Sequence, residues 1–343
     1  MKRLLAFAAA CLVSTALFAQ AKTEKLRVFF IDVEGGQSTL FVTPKGESLL
    51  IDTGWPGHDF RDADRIAAAA KRAGITKIDY VLITHFHEDH VGGVAQLVQR
   101  IPVGAFIDHG INRETENPDV VRDYEAYHKV LRDGHYTHII AKPGDVLPLT
   151  GLHAKVISAD GNLLQTALPG EGAPNPFCAK SEKRPDDKTE NSRSLGVRID
   201  FGKLKLLDLG DLTWDKEMQL MCPANLIGTV DVYIVSHHGW YQSSSPALVH
   251  AIHPRVAIMD NGETKGGSTP TLDTVRTSPG LEDLWQLHYS KEGGDAHNTN
   301  AANIANLTGT DAGYGIELIG NRDSSFDVIN ARTAVTKHYA ATR

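Results

Sequence analysis

Residues 80–93 read YVLITHFHEDHVGG, and this stretch limits what the chain can become more than any other. The apolar run is dense and does not alternate. That is the pattern of a strand buried on both faces, so it predicts an interior strand of a layered protein. Three histidines and two acids follow within six positions, His85 to His90. Such groups are costly to bury without a charge partner, so the strand has to deliver them to a cleft. His85 and His87 alternate and project to one side, Asp89 and His90 follow in a tight loop, and Gly92-Gly93 allow a sharp turn into a helix. Imidazole together with carboxylate is a donor set for Zn, Mn or Fe(II) rather than Ca or Mg. A polar loop that binds nothing is the plain alternative. Mutual repulsion of the histidines once protonated counts against it.

The chain begins MKRLLAFAAACLVSTALFAQA. Lys2 and Arg3, an apolar segment over 4–18 and Ala19-Gln20-Ala21 have the layout of a cleaved secretory signal peptide, residues 1–21; a spanning helix needs roughly 20 apolar residues. Cys11 lies inside the apolar segment, which argues against lipidation there. The expected location is periplasmic or secreted, with no membrane attachment after cleavage; a retained N-terminal anchor is the rival. Residues 1–21 hold two basic residues and no acid, so without them the net charge of −7 becomes −9. Of the remaining cysteines, Cys178 and Cys222 either pair, as export would allow, or stay free.

Residues 22–343 read as one domain. Strands are predicted at 26–33, 38–43, 48–52, 78–84, 104–108, 137–141, 153–158, 195–201, 204–209, 231–236, 255–260, 283–288, 314–319 and 325–329. Helices are predicted at 62–74, 91–100, 118–133, 215–221, 246–253 and 271–277. Residues 159–193 are rich in Pro, Gly and charge, lack periodicity, and read as a long loop insertion. Strand-rich ends with helices between them predict an α+β fold of two packed sheets with helices on their outer faces.

HxHxDH after an apolar strand, here His85, His87, Asp89 and His90, resembles the metal signature of the metallo-β-lactamase-fold hydrolases. LLDLGDL (206–212) resembles that superfamily's strand ending in Gly-Asp, which makes Asp211 the carboxylate bridging two metals. VSHHGW (235–240) resembles the late strand whose terminal histidine completes the second metal, and IDTG (51–54) the early turn whose Asp52 supports the ligand loop. Four longer blocks are similar to one branch, the metallo-hydrolase domain of the competence DNA-uptake channel together with secreted phosphorylcholine esterases. They are FIDVEGGQSTLF (30–41), PGDVLPLTG (143–151), ENSRSLGVRIDFGKLKLLDLGDL (190–212) and SHHGWYQSSSPALVHAIHPRVAIMDNG (236–262). The resemblance spans about residues 26–262.

It implies a four-layer αββα sandwich of the metallo-β-lactamase type. It also implies a hydrolase in which two divalent ions, zinc with manganese or iron as alternatives, share a hydroxide that attacks a carbonyl or phosphoryl centre. His85 and His87 would bind the first ion, Asp89, His90 and one of His237 and His238 the second, and Asp211 both, with Asp89 and Asp211 the catalytic carboxylates. Consecutive strand residues point to opposite faces, so one of the histidine pair is expected to ligate. His237 is preferred, leaving His238 for substrate or for support. The superfamily's third histidine on the first metal has no counterpart here; Asp160, then Asn191, then His153 are the candidates to replace it. Glu34 is an extra residue in the opening turn. Trp55, Trp240 and Tyr241 are placed as an aromatic wall and His288 and His297 at the cleft mouth, with packing and plain surface positions as alternatives.

His87 stands where flavodiiron oxygen reductases carry Glu, which argues for hydrolysis; Asp211 argues against the antibiotic-degrading members. A duplex nucleic acid calls for a basic stripe, whereas the one basic cluster, AKSEKR (179–184), runs straight into PDD. The expected substrate is a small phosphoester or phosphodiester, with a lactone or other ester next. A metal- or ligand-binding module without turnover and a DNA-processing accessory are the remaining alternatives.

Overall fold

The computed structural model describes residues 24–309 and 311–342; the signal-peptide reading of 1–21 lies outside them. Two mixed sheets stack face to face. Edge to edge, the first runs Thr336–Tyr339, Phe326–Asn330, Ile316–Gly320, Leu26–Phe30, Thr39–Val42, Ser48–Ile51, Ile78–Leu82, Val103–Asp108 and Thr137–Ile140. The second runs Ile304–Asn306, Asp283–His288, Val256–Met259, Val232–Ile234, Leu204–Asp208, Gly196–Phe201, His153–Ala159 and Asn162–Leu163.

Alternation sorts the side chains into three apolar layers. Leu26, Val28 and Phe30 face Val197, Ile199 and Leu206 between the sheets. Phe29 and Leu40 turn outward onto the helices Arg61–Ala73 and Pro118–Asp133. Leu207 and Ala257 turn the other way, onto Trp214–Met221, Pro246–Ile252 and Thr269–Arg276. The helix–sheet–sheet–helix order is the one expected.

Each sheet has a parallel half. Ser48–Ile51, Ile78–Leu82, Val103–Asp108 and Thr137–Ile140 run parallel in one, and Leu204–Asp208, Val232–Ile234, Val256–Met259, Asp283–His288 and Ile304–Asn306 in the other. Loops at the carboxyl ends of parallel strands are where α/β sheets place ligands. Here those ends carry His85 to His90, Asp211, His237-His238 and Asp260.

Several predicted elements differ in detail. The helix expected at 91–100 is two single turns, Glu88–Val91 and Val94–Leu97. Gly93 N donates to Gly54 O at 3.0 Å and Asp89 O accepts from Gln37 N at 3.1 Å, so the helical bond between them is diverted to the neighbouring turns. The insertion at 159–193 carries the strand Asn162–Leu163, short turns at Cys178–Lys180 and Glu190–Arg193, and a disulfide from Cys178 to Cys222. The strands Ile304–Asn306 and Thr336–Tyr339 were not expected.

Candidate metal centre

The loop after Ile78–Leu82 is fixed from behind by Asp52, fully buried with its backbone in the left-handed region at φ 59°. Asp52 Oδ1 accepts from Thr84 N at 2.8 Å, and Oδ2 accepts from Thr84 Oγ1 and lies 2.7 Å from His90 Nδ1. His90 therefore presents Nε2 to the cleft. Glu114 does the same for His87. Its Oε2 is 3.1 Å from His87 Nε2, which leaves Nδ1 to ligate. Across the cleft, Asp208 accepts from Gly210 N at 3.0 Å and turns the chain, and Ser194 Oγ accepts from Asp211 N.

The two oxygens of Asp211 face two groups of imidazole. Oδ1 is 3.3 Å from His90 Nε2 and 3.4 Å from His238 Nε2. Oδ2 is 3.3 Å from His237 Nε2 and 3.9 Å from His85 Nε2. Asp89 Oδ2 completes the first group, 3.3 Å from His90 Nε2 and 3.1 Å from His238 Nε2. One donor atom from each of Asp89, His90, Asp211 and His238 lies within 4.8 Å of the others, all of them buried. The His85 and His87 rings lie 4.7 Å apart beside the second group.

The buried group of Asp89, His90, Asp211 and His238 fits a metal cation. Burial opposes a charge on His90, yet Asp211, Asp89 and Asp52 hold its pKa well above the imidazole range. Against burial and the nearby Lys265 ammonium, Asp211 and Asp260 push His238 up to about 10. The carboxylates thus call for positive charge between them. On the other side, burial and the neighbouring His90 and His87 keep His85 well below its ordinary value, and burial takes His237 down to about 4. These are neutral imidazoles with a lone pair to give, and His85 Nε2, buried, has no hydrogen-bond partner among the described residues.

The expectation that only one of His237 and His238 points inward needs correction. The strand ends at Ile234, and both histidines sit in the following turn with left-handed backbone, φ 57° and 53°. Strand alternation does not apply there, and both imidazoles reach Asp211. His238, expected in a supporting role, lies among the buried donors, and His237 faces the opposite oxygen.

Asp160 is also a correction. It is taken by Arg113, at 3.1 and 3.0 Å, and by Arg193 at 3.4 Å, in a half-exposed ion pair outside the cluster. His153 is exposed beside Asp200, and His297 pairs with Asp273 at the surface. His288 is buried away from the mouth. Its Nε2 is 2.7 Å from Asp32 Oδ1, in a group with Glu34 that the Arg65 guanidinium already joins. Asn191 does lie beside the centre, its Nδ2 3.4 Å from His237 Nε2. Trp240 lies tilted against the exposed Tyr241, centroids 5.5 Å apart, while Trp55 lies under Lys265. Lys265 itself, paired with Asp89, was missed. So was Glu114, since an acid in a polar loop carries no signal of its own.

Residues 32–164 match the family model described as Metallo-beta-lactamase superfamily. Recombination protein 2 of Haemophilus influenzae is 27% identical over 248 residues, 72% of this chain and 25% of that protein. ComE operon protein 3 of Bacillus subtilis is 24% identical over 252 residues, 69% of this chain and 28% of that protein. The chain therefore spans about a quarter of the length of these two relatives. Among solved structures, the metallo-beta-lactamase fold protein YhfI from Bacillus subtilis aligns with 77% of this chain and 96% of its own, at 14% identity and a TM-score of 0.46. The matched region holds the ligand loop, so the likeness to the metallo-β-lactamase superfamily rests on residues 32–164, within two sheets sandwiched between helices.

Proposed function

We propose that this chain is an exported hydrolase of phosphoesters or phosphodiesters that works with two divalent ions. The observation that carries the reading is the division of imidazole between the two oxygens of Asp211. His85, His87, His237 and Asp211 Oδ2 would hold one ion, and Asp89, His90, His238 and Asp211 Oδ1 the other. His237 takes the place of the histidine that the middle of the chain lacks, so each half has four protein donors. When bound, such ions activate water and offset the charge that develops on the substrate's oxygens.

The chain's own part is to orient the donors. Asp52 and Glu114 fix which nitrogen His90 and His87 present, Ser243 Oγ sits 3.3 Å from His237 Nδ1, and Asp260 Oδ1 lies 3.6 Å from His238 Nδ1. Partners of this kind raise ligand basicity and hold ring orientation. Export is supported by the pattern of residues 1–21 and by the Cys178–Cys222 disulfide, which an oxidising compartment preserves. The name of one relative, Recombination protein 2, raises DNA as a substrate; the acidic net charge supports a smaller one.

The test is metal content per chain by plasma mass spectrometry on protein purified without chelator, with hydrolysis of bis(p-nitrophenyl) phosphate and a simple lactone. We expect two ions, turnover of the phosphodiester that chelation abolishes, and one ion in His237→Ala. One ion or none in the wild type, with neither substrate turned over, would refute the proposal and favour a binding module.

A further inference from the structure

Lys265 reaches the centre from the solvent side. It sits in the turn that follows Val256–Met259, closed by Gly262 N donating to Lys265 O at 2.8 Å. Its side chain crosses the Glu34-Gly35-Gly36 turn, where Gly35 makes room. A Cβ on Gly35 would lie 3.1 Å from Lys265 Cβ and 2.8 Å from Gly262 N. Lys265 Nζ donates to Gly35 O at 2.8 Å, pairs with the Asp89 carboxylate and stands 5.0 Å from the centre of the Trp55 ring. The side chain is 37% exposed, against 10% for Asp89 and 1% for His238 beneath it.

A cation held on Asp89 and the Lys265 ammonium would repel each other across a few ångströms. An anion between them relieves that repulsion. An ammonium has three N–H donors and no acceptor; two are committed, to Gly35 O and to Asp89 Oδ2, which leaves the third for a ligand.

We propose that Lys265 binds a non-bridging oxygen of the substrate, so that this centre selects anionic phosphoryl esters over neutral esters and lactones. This rests on the reading of the centre as a metal hydrolase and names its substrate class. Lys265 then acts as a binding residue at the reacting group, and the face of the Trp55 ring under its ammonium favours the cation there.

The experiment compares metal-loaded wild type, Lys265→Met and Lys265→Arg. Substrates are bis(p-nitrophenyl) phosphate, which is anionic, and p-nitrophenyl acetate, which is neutral. Inorganic phosphate affinity by titration calorimetry and metal content per chain are measured alongside. In Lys265→Met we expect phosphate affinity to fall about tenfold or more, as loss of a charged hydrogen bond does. The ratio of kcat/KM for the phosphodiester to that for the acetate should fall by a similar factor, with metal content not lowered. Lys265→Arg should restore most of both. Equal loss on the two substrates together with altered metal content would mean that Lys265 only positions Asp89, and the proposal fails. It fails also if neither ratio nor phosphate affinity moves. If the wild type turns over neither substrate, the hydrolase reading falls, and the phosphate affinities of the variants still judge the lysine.

Discussion

Replacing Asp52 by Asn tests one link in the centre, the tautomer of His90. The fold should tolerate the change, because Asn accepts the left-handed backbone that Asp52 adopts at φ 59°. The hydrogen bonds are another matter. Thr84 N, Thr84 Oγ1 and His90 Nδ1 all converge on the Asp52 carboxylate at 2.7–2.8 Å. A carboxylate accepts from all three, whereas an amide offers one oxygen. If that oxygen faces His90, the NH2 confronts the N–H of Thr84, and two buried donors without an acceptor cost about 1–3 kcal/mol. If the amide turns round, its NH2 donates to His90 Nδ1. The ring proton then moves to Nε2, the atom that faces Asp89, Asp211 and His238. In that second orientation, affinity of the half-site built on His90 should fall roughly 10- to 100-fold, as loss of such a support does. That is about 1.4–2.7 kcal/mol. Metal titration against a chromogenic chelator would show the tighter binding reduced to one ion per chain, and thermal melting in chelator would separate this from any loss of folding. Two ions bound with wild-type affinity, at unchanged stability, would refute the tautomer argument.

Two further outcomes follow from the same geometry. Burial pushes the Glu114 carboxyl up, but bonds from His87, Asn117 and Glu190 N outweigh it and hold it at about 2, below its ordinary 4.5. Its stabilisation is therefore present above about pH 4.5 and lost as the pH falls toward 2. Glu114→Gln should flatten the acid limb of a melting-temperature profile in that window by at most about 3 kcal/mol, and an acid limb identical to wild type would show the bonds to be weak. Cys178 and Cys222 are 44 residues apart, a loop whose closure lowers the entropy of the unfolded chain by about 4 kcal/mol in the chain-entropy picture. The Cys178→Ser/Cys222→Ser double variant should lose stability of that order in urea unfolding, and no change on reduction of the wild type would contradict it.

How much of the centre could be read beforehand depended on whether the signal was local. His85, His87, Asp89 and His90 stand within six residues behind an apolar strand, and Asp211 and Asp52 each end a recognisable run. The His237-His238 pair was visible, yet its geometry was not. A rule for strand residues was applied to a turn, and two consecutive non-glycine residues in the left-handed region have no sequence signature. Asp160 was proposed from chain order alone, and only three dimensions reveal that Arg113 and Arg193 hold it elsewhere. Lys265 is 176 residues from Asp89 in a polar glycine-containing loop that reads as plain surface. The fold was more legible than the centre, because buried strands reveal themselves one at a time. The short strands Ile304–Asn306 and Thr336–Tyr339 escaped for want of an apolar run.

The order of strands in the first sheet has a consequence for how the protein comes into being. Leu26–Phe30 lies between Thr39–Val42, made at once, and Ile316–Gly320, made much later; Arg27 and Glu317, bonded across that seam, are 290 residues apart. A growing chain has every donor of the centre once His238 has appeared, but one side of Leu26–Phe30 still lacks its partner. An open strand edge is an invitation to pair with another chain. Among the described residues, Ile316–Gly320, Phe326–Asn330 and Thr336–Tyr339 supply no donor to the centre, and their arrival is what covers that edge of Leu26–Phe30.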